Sequence, residues 1–350
     1  MKLIRWSLVT QAFVRCGRRS RREPRRAAQA FVVFVLGHAL PACAPLDPHS
    51  TATAPSTTSA ASGDAASLPA VEPEPGTFPE RWICGVPDCD GEPAIQVHAY
   101  NRDLFILRQS LCTSFEAPFL YLIFGREKAL LVDTGAGNVA IQEAVAGVIQ
   151  RWLTASGLSS IELVVVHTHG HGDHTAGDTQ FTGQPDTTLV PASVSELQTF
   201  FGITNWPTDI ASYDLGGRVL DVIPIPGHHA SHIALYDRRT RLLLTGDTLY
   251  PGRLYILGAV SQGQWPVYQA SIQRLVDFTA THPVAFVLGA HIEMTRVPGE
   301  QLAFRSTQHP NEHPLQLLHE HLLELHRSVI EMGGSPQLQT HDHFVIFPVD

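Results

Sequence analysis

Residues 167 to 177 read HTHGHGDHTAG and follow directly on the apolar run IELVVV at 161–166. Five of the six residues of that run are Val, Leu or Ile, with a single Glu, the composition of a buried strand, and glycine then loosens the chain. Four imidazoles and one carboxylate therefore gather at a strand end, where a loop can bring side chains to one point. His169 and His171, two apart on an extended segment, project to the same side and can grip one metal ion. Asp173 and His174 follow where the chain turns toward a helix, and they point to a second position nearby. Imidazole nitrogen and carboxylate oxygen are the donors that zinc accepts.

Three more strand ends carry the same residue types. PIPGHHASH places His228 after a strand and a Pro-Gly turn, LLLTGDTLY places Asp247 after another, and FVLGAHIE brings His291. The runs IQVHAY, LFILRQ, FLYLIFG and ALLVDTG succeed one another closely enough for antiparallel strands. The spacing then predicts a helix over 138–157, closed by Gly157, a strand at 161–166 and a helix at 193–202. A strand at 218–227 and a hairpin turning at DRRT follow, then a helix at 267–282, a strand at 284–290 and a helix at 315–333. Near-continuous apolar strands need cover on both faces, so the expected class is α/β (α+β), two sheets packed together with helices outside.

This ordered set resembles the metallo-beta-lactamase superfamily, over essentially residues 95–349. The resemblance implies a four-layer αββα sandwich with the metals in a cleft at the sheet edge. It implies His169, His171 and His228 as ligands of one zinc, Asp173, His174 and His291 as ligands of a second, and Asp247 bridging the two. His228 is preferred over His229 and His232 because it alone follows the Pro-Gly turn, as in the family's PGH pattern, so the other two are expected to face solvent or pack locally. Asp133, in LVDTG, matches an early aspartate that supports a ligand from behind. The implied reaction is hydrolysis of an ester, thioester, lactone or beta-lactam of a small-molecule substrate, with two zinc ions activating a water and Asp173 and Asp247 orienting it. The same ligand order serves glyoxalase II, lactonases and some true beta-lactamases. A persulfide dioxygenase with one iron, and a zinc-binding protein without catalysis, are the rival readings.

Substrate contacts are expected in the loops TLYPGRLYILG and FFGITNWPTDIASYD, where Arg253 can meet a carboxylate and Tyr250, Tyr255 or Trp206 can line a cleft. The later histidines of HPNEHPLQLLHEHLLELH read as a solvated face.

The amino-terminal part is of another kind. Residues 1–42 hold nine Lys/Arg against one Glu, then the apolar AAQAFVVFVLGHAL, then PAC. That order predicts a signal peptide, with an apolar run shorter than the roughly 20 residues a spanning helix requires. LPAC resembles a bacterial lipobox with Cys43 as the lipidated residue, so the expected location is the cell envelope through a lipid anchor, or secretion. Residues 43–77, almost without large apolar side chains, read as a disordered linker, and 78–350 as the folded domain. Taking the nine cations and one anion from 24 Lys/Arg and 33 Asp/Glu leaves 15 against 32, a net charge of −17. A surface so acidic excludes nucleic acid as a partner. Cys84 and Cys89 can close a small disulfide loop, which leaves Cys112 without an obvious partner. Nothing in the sequence fixes the oligomeric state.

Overall fold

The computed structural model describes residues 73–86 and 89–350. The expected signal peptide, Cys43 and most of the expected linker lie outside them. Glu74 and Thr77, on the linker side of the expected boundary, already belong to the fold: their amides donate to the carbonyls of Arg239 and Tyr100 at 2.8 Å each. Phe78 packs its ring on Tyr100 and Phe286, with centroids 5.2 and 5.4 Å apart.

The first sheet runs in chain order: β1 (Ile95–Asn101), β2 (Leu104–Gln109), β3 (Phe119–Phe124), β4 (Lys128–Val132), β5 (Glu162–Val166) and β6 (Thr187–Leu189). The first four are antiparallel neighbours, and β5 and β6 join in parallel. The parallel step from β4 to β5 needs a crossover, which α1 (Ile141–Ser156) supplies. A four-residue turn of helix, α2 (Gly172–Thr175), follows β5, and α3 (Val194–Phe201) follows β6. Ser193 caps α3 by accepting the amide of Glu196.

The second sheet holds β7 (Ala211–Asp214), β8 (Val219–Pro224), β9 (Ile233–Asp237), β10 (Leu242–Gly246), β12 (Phe286–Gly289) and the two-residue β13 (Gln316–Leu317). The helix α4 (Gln264–Thr279) makes the parallel crossover from β10 to β12, and α5 (His319–Met332) follows β13. Most of the expected 315–333 helix is therefore helix, from His319 to Met332, while Gln316 and Leu317 pair with β12.

Alternation along the strands separates three cores. Leu104, Ile106, Tyr121, Ile123, Leu130, Val164 and Val166 point inward from the first sheet and meet Leu220, Val222, Leu235, Leu242, Leu244 and Leu288 of the second. Their sequence neighbours Leu107, Leu120, Leu122, Leu131 and Val165 turn the other way, under Val145, Val148 and Trp152 of α1. On the far side Ile223, Ala234, Leu243 and Val287 lie under Tyr268, Ile272 and Leu275 of α4 and Leu322, Leu325 and Val329 of α5. The order is helix, sheet, sheet, helix. The inner strands β3, β4, β5, β9 and β10 are buried at consecutive positions because both of their faces are covered.

A third, small sheet was not legible: β11 (Arg253–Leu257) pairs in parallel with β15 (Val345–Val349), and β14 (Gln339–Thr340) lies antiparallel to β15. The segment read as a substrate loop is thus partly a strand, since its partner is nearly a hundred residues away and leaves no local signal.

Two features hold the ends. At the end away from the histidine loops, Arg218, buried just before β8, pairs with Asp237 (2.5 Å) and donates to the carbonyls of Asp103 (2.7 Å), in the turn between β1 and β2, and Phe124 (3.2 Å), at the end of β3. Near the amino end the disulfide joins Cys89 to Cys112, correcting the expected Cys84–Cys89 loop, and Cys84 is a free thiol. Cys89 occupies a left-handed turn (φ 58°) that carries its side chain toward the loop after β2. Among the described residues no helix is long and apolar enough to cross a membrane.

Candidate metal centre

Every chemistry-bearing strand end opens at one edge of the sandwich. Asp133 follows β4, His169 to His174 follow β5, His228 follows β8, Asp247 follows β10 and His291 follows β12. Parallel pairing of β4 with β5 and of β10 with β12 sends these ends the same way.

The side chains form two donor groups. In the first, His169 Nε2, His171 Nδ1 and His228 Nε2 stand 2.9, 3.0 and 3.2 Å from one another. Asp247 Oδ2 closes this group, 3.8 Å from His169 and 3.5 Å from His228. In the second, His174 Nε2 and His291 Nε2 each face one oxygen of Asp173 and Oδ1 of Asp247, all at 3.2 to 3.3 Å. The two carboxylate oxygens of Asp247 therefore point into different groups. All seven residues named from the sequence are brought together.

The ring nitrogens facing away from the two groups are mostly held. His228 Nδ1 donates to the Tyr255 carbonyl (2.7 Å), His291 Nδ1 to the Glu116 carbonyl (2.8 Å) and His174 Nδ1 to the Asp133 carboxylate (2.8 Å). These bonds fix each tautomer, so the inner nitrogen carries the lone pair. Asp133 is wholly buried in a left-handed conformation (φ 69°) and also receives the amide and hydroxyl of Thr168 (2.7 and 2.9 Å). It supports from behind and touches neither group's centre.

The donor set fits metal. Three imidazole nitrogens within 3.2 Å cannot all satisfy one another with the few protons available, and a tetrahedral ion with bonds of about 2.0–2.1 Å spaces its donors by about 3.3 Å. His174 Nε2 and Asp247 Oδ1, both buried, face each other without hydrogen-bond geometry and find no hydrogen-bond partner among the described residues. Burial pushes the pKa of His169 and of His228 down, which keeps the lone pair free at neutral pH. For His174 and His291 burial acts in the same direction but is outweighed, by Asp133, Asp247 and Asp173 at His174 and by Asp247 and Asp173 at His291, so both are raised.

Residues 115–281 match the family described as the metallo-beta-lactamase superfamily. The chain carries a metallo-beta-lactamase superfamily domain. It is 25% identical over 218 residues to the human acyl-coenzyme A thioesterase MBLAC2, covering 54% of this chain and 77% of that one. To the hydroxyacylglutathione hydrolase of Methylococcus capsulatus it is 32% identical over 130 residues, 36% of this chain and 50% of that one. Among solved structures, a metallo-beta-lactamase from Pontibacter korlensis aligns at 20% identity and a TM-score of 0.41, over 56% of this chain and 91% of that one. The chain spans from about half to about three quarters of the length of the curated relatives it matches. His291 lies beyond the matched residues, and here the superfamily domain's structure alone brings it to the site.

Several residues depart from the sequence reading. The first histidine of the motif, His167, is buried against Asp178 (2.8 Å) and takes no part in either group. His232, expected at the surface or packed locally, is fully buried: it stacks on His169 (centroids 4.7 Å, 15° between planes) and its Nε2 accepts the amide of Asp247 at 3.2 Å. Its position directly before the apolar run of β9 was the available signal. Glu116 went unnoticed because its part is played by a backbone carbonyl, which no side-chain motif encodes.

The loop residues are tied into the scaffold. Arg253 donates to the Leu302 carbonyl (2.6 Å) and sits 3.6 Å from Glu293. The buried Tyr250 hydroxyl donates to the Arg253 carbonyl, and its ring lies 5.5 Å from that of His291. Tyr255 packs on Phe347 and reaches the centre only through its carbonyl. Trp206 lines an apolar groove of about 600 Å³ with Pro207, Pro226 and Val267, the last two on the His228 turn and α4 respectively. Of the late histidines, His309 and His313 are buried rather than solvated, while His319 and His326 bond to Thr279 and Gln273 of α4.

Proposed function

We propose that this chain is a dinuclear zinc hydrolase that cleaves an acyl bond of a small molecule, with a thioester favoured over a lactone, an oxygen ester or a beta-lactam. The observation that carries the reading is Asp247, whose two oxygens face two separate donor groups. The names of the thioesterase and hydroxyacylglutathione hydrolase relatives support the thioester.

His169, His171 and His228 would hold one ion, Asp173, His174 and His291 the other, and Asp247 both. Two divalent ions there supply a polarised carbonyl and an activated water at neutral pH. The chain's own residues do the rest. Asp133 and the carbonyls of Glu116 and Tyr255 fix the direction of the imidazoles, so that the donors are set before any ion arrives. Asp173, held below the ordinary carboxylate range because His174 and His291 outweigh its burial, stays anionic and would orient a water at the centre by accepting its hydrogen bond.

The test is elemental analysis of the purified protein followed by a panel of thioesters, lactones and beta-lactams. Two zinc ions per chain with thioester turnover support the reading. One iron per chain and oxygen uptake with a persulfide would replace it with dioxygenation, and zinc without turnover would reduce it to metal binding. For location, we propose export with a lipid on Cys43, supported by the arginine-rich start and the LPAC that follows the apolar run. Mass spectrometry of the native amino terminus decides that, and an intact Met1 refutes it.

A further inference from the structure

Among the described residues no other cation lies over two aromatic rings as Arg305 does. Its guanidinium carbon lies 5.0 Å from the centre of the Phe115 ring and 5.5 Å from that of Phe304, and those two rings stand 6.1 Å apart at 71°. Two aromatic faces thus hold the flat group. Among the described residues it makes no ion pair and no side-chain hydrogen bond, in a domain whose anions outnumber its cations about two to one. Most other arginines here are spent: Arg108 on Glu312, Arg218 on Asp237, Arg238 on Asp221, Arg253 on Leu302 and Glu293.

Its supports lead to the metal centre by two routes. Phe115 precedes Glu116, whose carbonyl receives His291 Nδ1. Phe304 and Arg305 follow Leu302, whose amide donates to Glu293 (2.8 Å), two residues beyond His291. The turn is tight, with a 2.9 Å bond from the Ser306 amide to the Ala303 carbonyl, and Arg305 takes a left-handed backbone (φ 60°) that few arginines adopt. Phe304 stays 62% exposed while bracing it. A large ring left in water to hold a cation with no counter-ion points to a ligand that completes the arrangement. Held against the two rings, the guanidinium still has its N–H donors free among the described residues, and their fork matches a carboxylate or phosphate two bonds at a time.

We propose that Arg305, clamped by Phe115 and Phe304 at the rim beside His291, binds an anionic group on the part of the substrate remote from the scissile carbonyl. The inference rests on the acyl-hydrolase reading and narrows its substrate class to acyl compounds that carry a carboxylate or phosphate. Arg305 is a specificity residue and takes no part in the bond cleavage.

The test uses the full zinc-loaded protein and S-acetyl thioesters of ω-mercaptocarboxylic acids of increasing chain length, with the matching amides and ω-mercaptoalkyl phosphates. At the best length Arg305→Ala should raise KM for the anionic substrate at least tenfold with kcat within about twofold, and leave the amide unchanged. Arg305→Lys should recover part of the loss, and Phe304→Ala, which removes one brace, should fall between. Greater discrimination for the phosphates than for the carboxylates would name phosphate as the group recognised. Calorimetric binding of the uncleavable S-ethyl thioethers of the same acids and amides gives a readout independent of turnover. If the wild type cleaves none of the thioesters yet binds the acid thioether more tightly than the amide, and Arg305→Ala abolishes the difference, the anion site stands and the hydrolase reading falls. If Arg305→Ala leaves the ratio of acid to amide unchanged in both KM and thioether affinity, the proposal is overturned while the hydrolase reading is untouched.

Discussion

Replacing Asp247 by Ala should strip both metal positions together, and the structure says by how much. Oδ1 lies 3.3 Å from His174 Nε2 and 3.2 Å from His291 Nε2, and Oδ2 lies 3.5 Å from His228 Nε2, so the change removes one of four donors from each group. Loss of a residue that only supports a ligand costs 10–100-fold in metal affinity, so loss of a ligand is set at about 100-fold or more, which is roughly 3 kcal/mol per ion. His291→Ala should cost the same at one position only, and His171→Ala at the other. The assay is zinc per chain after equilibration against a series of buffered free-zinc concentrations. Wild type should show two steps or one double step. Asp247→Ala should move both by about two decades, and His291→Ala should leave one step where it was. A variant at Asp247 that loses a single ion, or one at His291 that loses both, would refute the division into two groups sharing one carboxylate.

Asp133→Asn should lower zinc affinity only at the His174 position, by 10–100-fold, because the amide still occupies the space but no longer holds the Nδ1 proton as a carboxylate does; zinc titration reads it. Cys89→Ser should destabilise the fold by about 3 kcal/mol, since Cys89 and Cys112 are separated by 23 positions, whereas Cys84→Ser should not, and denaturant unfolding compares the two. Burial beside His343 depresses His321 to about 4, so its neutral form is favoured by folding; stability from this residue is complete above about pH 6.5 and is lost as pH falls from there to about 4. With the side chain half-exposed the effect is discounted to about 1–2 kcal/mol, and His321→Gln should flatten the acid limb of a stability–pH curve by that amount.

The strands and the centre were legible for one reason: sheets with both faces covered need apolar runs, and the metal donors sit in the few residues after them. Val164 and Val166 of β5, followed closely by His169 and His171, show the rule in eight positions. What escaped was whatever depends on distant pairing. β11 looked like a loop because Val345–Val349 supplies its edge, and Cys89 finds Cys112 across a turn that spacing alone does not reveal. His232 and His229 follow His228 within four residues and share its chemistry; the Pro-Gly turn singles out His228, yet only the fold shows that His232 stacks behind His169 and that His229 lies half-buried against Ser231.

The sandwich is pinned at its two ends by unlike fasteners. Arg218 ties the second sheet to carbonyls of the first at one end, permanently and without cofactor. At the other end the first sheet contributes His169, His171, Asp173 and His174 and the second contributes His228, Asp247 and His291, so ions bound there would act as a removable clasp across the layers. A chelator should therefore work as a hinge pin withdrawn from one side. Amide hydrogen exchange should quicken at the carboxyl ends of β5, β10 and β12 while the strand ends around Phe124 and Asp237 keep their protection.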